Sequence, residues 1–423
     1  MSQGFKFTVA LSCLYGLCGL LNSAHGGEIL QLNRLDLPGH SQPSITVDRR
    51  GGFILTSIER HDDEAQLRFH RLNRQGTVLD SGLIARGKDW FVNWADFPSL
   101  VVADNGGWLS FFLRKSGPSQ PYAYDIWITR STDRGRQWST PEKLHDDALP
   151  TEHGFVSLLP DGDDRVLAVW LDGRRGARSN AEQATHGHDA HGGAHTSLRS
   201  AVLRRGQPPA QQAELDTLTC DCCTTDALHT RNGPLVAYRN RSEAEVRDIG
   251  WVERQAGDWS GPAIAIEDGW QIAGCPVNGP ALSTLDKRPL LAWPTQNGAN
   301  FELRLALRRE GEWHALPTLE SHPDLMGRVD AVSWGDQGAL ISWLGVASQA
   351  TPPHPVLRVA HLNAGGKELS RVEVTDLSAG RNTGMPRMAS LGNVAILVWT
   401  EPSAGQSRIR GARITIGSQR PAP

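Results

Sequence analysis

The sequence of 423 residues predicts an all-β fold, a propeller built from four-stranded blades. The first observation is an internal repeat: seven segments share a short strand, a turn of Gly, Asp or Asn, and a strongly apolar strand that usually ends in an aromatic residue. The second is their spacing of roughly 50 residues, the length of a propeller blade. The third is that further strand segments separate the repeats, enough for four strands in each unit. We expect seven blades; six blades with one miscounted unit are the alternative.

The seven repeats follow one another along the chain. They read PSITVDRRGGFILTSIE from Pro43, PSLVVADNGGWLSFFLR from Pro98, GFVSLLPDGDDRVLAVWLD from Gly154, CTTDALHTRNGPLVAYRN from Cys223, NGPALSTLDKRPLLAWPT from Asn278, RVDAVSWGDQGALISWLG from Arg328 and PRMASLGNVAILVWTE from Pro386. The seventh unit ends after three strands. We therefore predict that EILQLNRLDL at 28–37 pairs with 408–416 as the missing outer strand, which closes the ring and leaves few exposed sheet edges.

Residues 1–26 have the features of a secretory signal peptide: Lys6, an apolar run from Phe7 to Leu21 and small residues near Ala24. No later apolar run approaches the ~20 residues that a transmembrane helix needs. We expect a periplasmic or secreted protein in which 27–423 form a single propeller domain; a lipoprotein anchored at Cys18 is the alternative. The net charge of -3 with mixed signs argues against nucleic acid as a partner, and the oligomeric state is not determined by the sequence.

One segment, 174–196, is too polar and too rich in Gly and Ala to pack, and it is predicted to be a His-rich loop inserted in the third blade. Its histidines are uncharged at the pH of most compartments and can bind metal ions. We expect an auxiliary metal-binding loop formed by His186, His188, His191 and His195. A loop without measurable function is the alternative.

All sulfur-containing residues outside the leader lie at the openings of repeats four to seven. In a ring of four-stranded blades, the openings of the inner strands converge on one mouth of the central channel. The candidate metal ligands at this mouth are Cys220, Cys222, Cys223, Cys275, Met326, Met385, Met388, His153 and His40. Thiolate, thioether and imidazole are the donors that copper(I) prefers, whereas zinc would be satisfied by the Cys and His residues alone. The alternative for the cysteines is a disulfide from Cys222 or Cys223 to Cys275, because exported thiols commonly pair.

A single complete motif follows the strand segment DIWITR. In STDRGRQW, Ser131, Asp133, Gly135 and Trp138 occupy the positions of an Asp-box, and the segment resembles the Asp-box repeats of bacterial sialidases. The pattern is typical of a tight hairpin in which Asp binds backbone N–H groups, Gly takes a positive φ and Trp packs beneath. The resemblance implies a β-propeller of the sialidase superfamily.

If the chain is an enzyme, the resemblance implies a sialidase-like glycoside hydrolase. That family uses arginines to bind the substrate carboxylate, an Asp acid/base and a Tyr nucleophile; the corresponding candidates here are Arg328, Arg387, Asp96 and Tyr238. The first-blade position of the family's arginine is Ser41, so the catalytic motif is incomplete. The sequence therefore indicates two possible functions. The first is an exported propeller that binds copper or zinc, and the second is a glycan-binding protein or glycoside hydrolase with a divergent site.

Overall fold

The computed structural model describes residues 29–117, 121–177, 195–403 and 406–416, and within them the chain forms seven antiparallel sheets arranged as a propeller. The predicted seven-bladed fold is confirmed. The predicted signal peptide lies outside the described residues, as do His186, His188 and His191. No helix in the described part of the chain is long and apolar enough to cross a membrane.

The first strand of the chain, β1 (Ile29–Pro38), belongs to the last blade, and blade one begins with the strand after it. Blades one to three each have four strands in sequence order. Their strands are β2 (His40–Asp48), β3 (Gly52–His61), β4 (Glu64–Leu72) and β5 (Val78–Gly87); β6 (Leu100–Val102), β7 (Trp108–Lys115), β8 (Tyr124–Ser131) and β9 (Glu142–Lys143); and β10 (His153–Pro160), β11 (Arg165–Asp172), β12 (Thr196–Arg204) and β13 (Ala210–Thr219). The predicted His-rich insertion thus connects β11 to β12 in blade three.

In blades four and five the outermost strand is divided into two short pieces that pair with the same neighbour. The remaining strands are β14 (Asp226–Thr230), β15 (Gly233–Arg239), β16 (Ile249–Gln255), β17 (Asp258–Trp259) and β18 (Ala263–Ile264); β19 (Ala281–Leu285), β20 (Arg288–Asn297), β21 (Asn300–Arg309), β22 (Glu312–Ala315) and β23 (Glu320–His322); β24 (Gly327–Trp334), β25 (Gly338–Val346), β26 (Pro355–Leu362) and β27 (Glu368–Asp376); and β28 (Arg387–Leu391), β29 (Val394–Ser403) and β30 (Gln406–Ile416). A short 3-10 helix, Arg381–Thr383, precedes β28.

The ring is closed by the first and last strands of the chain. Blade seven has the order β1-β30-β29-β28, and β1 pairs antiparallel with β30 from Ile29 opposite Ile416 to Pro38 opposite Arg408. This pairing is the closure that the sequence predicted. It leaves no blade short of its outer strand.

One aromatic position recurs in the second strand of the later blades. The sixth residue of β11, β20, β25 and β29 is a buried tryptophan, namely Trp170, Trp293, Trp343 and Trp399. In β15 the sixth residue is Tyr238, which is equally buried. These large side chains fill the space between neighbouring blades, which is why the apolar strand of each repeat carries an aromatic residue.

Three buried carboxyl groups connect pairs of neighbouring blades around the channel. Asp96 accepts a hydrogen bond from the backbone N–H of Phe155 (2.9 Å), Asp226 from that of Leu282 (2.6 Å) and Asp330 from that of Met388 (2.6 Å). In each case an aspartate near the start of one inner strand binds the start of the next blade's inner strand. The repeated contact fixes neighbouring blades in register at the channel wall.

Candidate functional site

Three cysteines meet where the chain enters blade four. Cys220 and Cys223 are buried and Cys222 is half-buried, and all three lie in the short connection from β13 to β14. The Sγ atom of Cys220 lies 3.3 Å from that of Cys223 and 3.7 Å from that of Cys222. The three sulfur atoms are all within 4.8 Å of one another. We call this group the three-thiol cluster.

The fourth cysteine, Cys275, approaches the cluster from the connection between blades four and five. Its Sγ atom is exposed and lies 3.5 Å from Oδ1 of Asp221. Asp221, Cys222 and Cys275 form a second group whose potential ligand atoms lie within 4.8 Å of one another, and Cys222 belongs to both groups. The structure therefore brings the four cysteines together. All four are free thiols, so the disulfide alternative is not found among the described residues.

Two buried arginines flank the three-thiol cluster. The Arg239 guanidinium donates to the carbonyl groups of Asn278, Arg247 and Pro294, while its own carbonyl accepts the Cys220 N–H at 3.0 Å. Arg247 is bound to Glu245, but its Nε and Nη1 atoms have no oxygen or nitrogen partner within the described residues. Arg247 thus has donors that can interact with the Cys220 sulfur.

The surroundings shift the pKa values of the three thiols in opposite directions. Hydrogen bonds from Cys222 and Cys223, together with the positive charge of Arg247, hold the pKa of Cys220 well below its ordinary value. The hydrogen bond to Cys220 raises the pKa of Cys222, and burial raises that of Cys223. A thiolate is the form of cysteine that binds metal ions, so Cys220 is already prepared for coordination.

The methionines predicted as ligands lie in apolar surroundings. Met385 is buried in a cluster with Phe97, Phe155 and Tyr238, which also includes Cys222 at its edge. Met388 is buried in the core of blades six and seven, and Met326 packs against that core.

The predicted histidine ligands also have other partners. His153 is fully buried, with Nε2 3.0 Å from Oδ2 of Asp147 and Nδ1 3.1 Å from the carbonyl oxygen of Tyr124. Its ring is stacked on His145 at 3.7 Å with an angle of 7° between the planes. His153 belongs to two potential metal-binding groups of its own, one with Asp125 and His145 and one with Asp147 and Asp172, and neither includes a cysteine. His40 binds Ser57 at 2.9 Å inside blade one. His195, the described member of the His-rich segment, directly precedes β12.

Asp96, the predicted acid/base candidate, belongs to a network with two residues that the sequence did not indicate, Tyr124 and Glu152. The Tyr124 hydroxyl is 2.7 Å from Oδ2 of Asp96 and 2.9 Å from Oε1 of Glu152. A phenol has one proton to donate, so the second short contact requires a proton on one of the two carboxyl groups. Burial raises the pKa of Asp96 to about 7 and that of Glu152 to about 8, and the charge of Asp221 contributes to the rise at Glu152. The network therefore retains a proton near neutral pH.

The channel beneath the mouth contains a cavity of about 240 Å³ lined by Asp96, Asp226, Asp330 and Arg387. Burial raises the pKa of Asp226 to about 7 and also raises that of Asp330. The Arg387 guanidinium lies over the Phe97 ring at 5.3 Å. The cavity is thus polar, with several hydrogen-bonding groups that face one another across the channel.

Two further residues predicted for catalysis, Tyr238 and Arg328, make structural contacts within the propeller. Tyr238 donates to Oδ2 of Asp216 at 2.5 Å and is buried, since it occupies the aromatic position that is tryptophan in other blades. The Arg328 guanidinium donates to the Gly384 carbonyl at 2.9 Å and lies over the Trp94 ring at 4.7 Å. Burial lowers the pKa of Arg328 to about 10.

The Asp-box forms the predicted hairpin. Asp133 Oδ1 accepts from the Ser131 hydroxyl and from the Gln137 N–H, each at 2.9 Å, and the Gly135 N–H donates to Ser131 Oγ at 2.8 Å. Gly135 has φ +85°, and a Cβ atom there would lie 2.6 Å from the Phe69 ring, so only glycine fits. Trp138 packs in the apolar cluster of blades one and two.

Comparison with known proteins finds no matching family model and no matching curated sequence. Among solved structures, the chain is similar to the intramolecular trans-sialidase of Ruminococcus gnavus, with a TM-score of 0.47, 12% identity and coverage of 75% of this chain and 94% of that one. A sialidase of Streptococcus pneumoniae gives a TM-score of 0.48 with 9% identity over 86% of this chain and 83% of that one. An α-L-arabinanase of Penicillium chrysogenum gives 0.46 with 12% identity over 92% and 98%. Sialidases, the class indicated by the Asp-box, are thus among the structural neighbours, but similarity at this level assigns no activity or ligand to the chain.

Proposed function

We propose that the protein is an exported β-propeller that binds Cu(I) through thiols at the mouth of its channel, for storage, delivery or detoxification of the ion. The observation that carries the proposal is the convergence of Cys220, Cys222 and Cys223, whose sulfur atoms lie within 4.8 Å of one another. Periplasmic or extracellular location is part of the proposal and rests on the signal-like sequence of residues 1–26.

The spacing of the sulfurs suits a metal ion. Three thiolates at ~2.3 Å from a metal lie ~4.0 Å apart in a trigonal arrangement. The Cys220–Cys222 separation of 3.7 Å is close to this value, and the Cys220–Cys223 separation of 3.3 Å would have to open by a fraction of an ångström. Ion binding would therefore require little movement of the backbone.

The donor set favours copper over zinc. Soft thiolates select Cu(I) or zinc, but structural zinc sites are almost always four-coordinate. The three-thiol cluster offers three sulfurs and no nitrogen ligand, because His153 and His40 are engaged elsewhere. Three sulfur ligands complete the coordination of Cu(I), whereas zinc would need a fourth ligand, which the adjacent Cys275 or Asp221 would have to supply.

The proposal is tested by anaerobic titration of the reduced protein with Cu(I) in competition with a chromophoric Cu(I) chelator. We expect tight binding by the parent and its loss in Cys220→Ser and Cys223→Ser. Met388→Leu is the control, because Met388 lies in a blade core and its substitution should leave the affinity unchanged. If the parent and Cys220→Ser compete equally well with the chelator for Cu(I), copper does not bind at this cluster.

A second candidate function, recognition or hydrolysis of a glycan, is favoured by one observation: the polar channel cavity, in which Arg387 faces carboxyl groups of Asp226 and Asp330. Such groups hydrogen-bond well to hydroxyl-rich ligands. Hydrolysis of a chromogenic sialoside is the test, and we expect little turnover because Ser41 replaces a carboxylate-binding arginine and Tyr238 is buried. Robust hydrolysis that is lost in Asp96→Asn would instead establish the enzyme.

A further inference from the structure

The four cysteines do not form one four-sulfur site in the described structure. Cys220, Cys222 and Cys223 make one group within 4.8 Å, whereas Cys275 joins Cys222 and Asp221 in another. Cys275 is exposed and comes from a different connection than the other three. Two ligand sets therefore lie side by side, one buried and one at the surface.

Cys222 belongs to both sets of potential metal ligands. It is half-buried, between the buried thiols and the exposed Cys275. A thiolate sulfur has more than one lone pair, so it can bind two soft cations at once when they lie on different sides of it. The inner cation would use the pairs facing Cys220 and Cys223, and the outer cation would use a pair facing Cys275.

We infer that the mouth holds a second metal position, formed by Cys222, Cys275 and Asp221, and that Cys222 bridges it to the three-thiol cluster. The protein then binds two Cu(I) ions per chain. This inference rests on the proposed function, since the outer position depends on the thiolate that the inner ion stabilises.

The charge balance of the site favours the binding of two Cu(I) ions over the binding of one. Thiols lose their protons when they bind metal. One Cu(I) ion on three thiolates leaves a negative site, which the buried Arg239 and Arg247 face from inside the protein, while Cys275 and Asp221 add further anionic ligands on the outer side, away from these arginines. A second monovalent cation at the outer position reduces this excess of negative charge at the place where the two anionic ligands lie.

The two positions differ in accessibility and in donor type. The inner position is surrounded by sulfur and is buried. The outer position includes a carboxylate oxygen, a harder donor that binds Cu(I) more weakly than sulfur does. The outer ion should therefore be the weaker-bound of the two and the first to be removed by a competing chelator.

The test is the stoichiometry of Cu(I) binding to the full-length reduced protein under anaerobic conditions, with chelators of increasing strength. We expect two ions per chain for the parent and one for Cys275→Ser, whose remaining ion keeps its affinity within about tenfold. Asp221→Asn should weaken the outer ion and leave the inner one unchanged. X-ray absorption of the doubly loaded parent should contain a copper–copper contribution that is missing in Cys275→Ser.

The possible results separate the two proposals. One ion per chain in the parent, bound much more weakly after Cys275→Ser, would indicate a single four-thiol site and overturn the second position. One ion in both proteins at equal affinity would also overturn it. Absence of binding in the parent would reject the proposed function itself. Because Cys275 is exposed, its substitution should not disturb folding, and thermal unfolding checks this directly.

Discussion

Arg247 is the residue whose charge acts most directly on the thiols. It is buried, it lies beside Cys220, and two of its nitrogen atoms lack an oxygen or nitrogen partner among the described residues. We predict that Arg247→Met raises the pKa of the Cys220 thiol, because the variant removes a positive charge that favours the thiolate. The ultraviolet absorbance of the thiolate, followed against pH, measures this change.

The control for this prediction is Arg254→Met. Arg254 is paired with Asp161 at 2.6 Å and is not among the groups that act on Cys220. It should leave the thiolate titration unchanged. A pKa that stays constant in Arg247→Met would mean that the neighbouring thiols alone stabilise the Cys220 anion.

Asp96 makes the stability of the protein depend on pH. Burial raises its pKa from 3.8 to about 7, so the folded state retains a proton that the unfolded state has released. The stability that this group contributes is fully present below the pKa of Asp96 in the unfolded state, and it is lost as the pH rises through the folded-state pKa of about 7. We predict that Asp96→Asn, which keeps the shape and removes the titration, lessens this loss by as much as roughly 4 kcal/mol.

Thermal unfolding of the parent and of Asp96→Asn at about pH 5 and about pH 8 tests the prediction. The parent should lose more stability between the two conditions than the variant. Glu152→Gln should act in the same direction, because burial also raises the pKa of Glu152. Parallel losses in parent and variant would show that Asp96 is ionised in the folded protein.

At the scale of the strand, the closure of the ring depends on β1. Leu35 is buried in the cluster of blades one and seven, although it lies at the beginning of the described chain. We predict that Leu35→Ala lowers the free energy of unfolding by about 2 to 5 kcal/mol, the usual range for a buried leucine. Leu79→Ala on β5, where the side chain is 60% exposed, should cost less than about 0.5 kcal/mol.

Chemical denaturation measures both variants. If Leu35→Ala lowers the free energy of unfolding as little as Leu79→Ala does, β1 contributes little to the stability of the fold. The other contacts between blades then close the ring.

The strands could be predicted because the repeat imposes one pattern many times. The sixth residue of β11, β20 and β25 is tryptophan, and the same spacing locates Tyr238 in β15. Tyr238 was a catalytic candidate because the resemblance to sialidases implies a tyrosine nucleophile. Its place in the repeat, occupied by tryptophan elsewhere, was the signal that it fills the core.

The site was predictable only in part. Cys220, Cys222 and Cys223 are adjacent in sequence, and the blade topology brings Cys275 to them. The partners of Tyr124 could not be predicted, because Asp96 and Glu152 reach it from separate connections and their contacts depend on side-chain geometry. His153 lies at the opening of its strand as expected, yet its ring turns toward Asp147 and His145. Strand patterns locate a residue along the channel but do not determine which way its side chain turns.

At the scale of the whole molecule, metal binding should stabilise the fold. An ion that binds the folded state alone stabilises it by ~2.7 kcal/mol when its free concentration is 100 times Kd. We predict that Cu(I) raises the Tm of the reduced parent under anaerobic conditions and leaves the Tm of Cys220→Ser unchanged. An equal rise in both proteins would assign the stabilisation to a site outside the three-thiol cluster.

The pairing of β1 with β30 also determines how the molecule should respond to force. Ile29 lies opposite Ile416, so the outer ends of both strands are at the same end of the ladder. Pulling these two ends apart would load the hydrogen bonds one after another, as in a zipper, rather than all together in shear. The contact that closes the ring is therefore also the place where a small tension, applied by an attached domain or by an unfolding machine, would begin to open it.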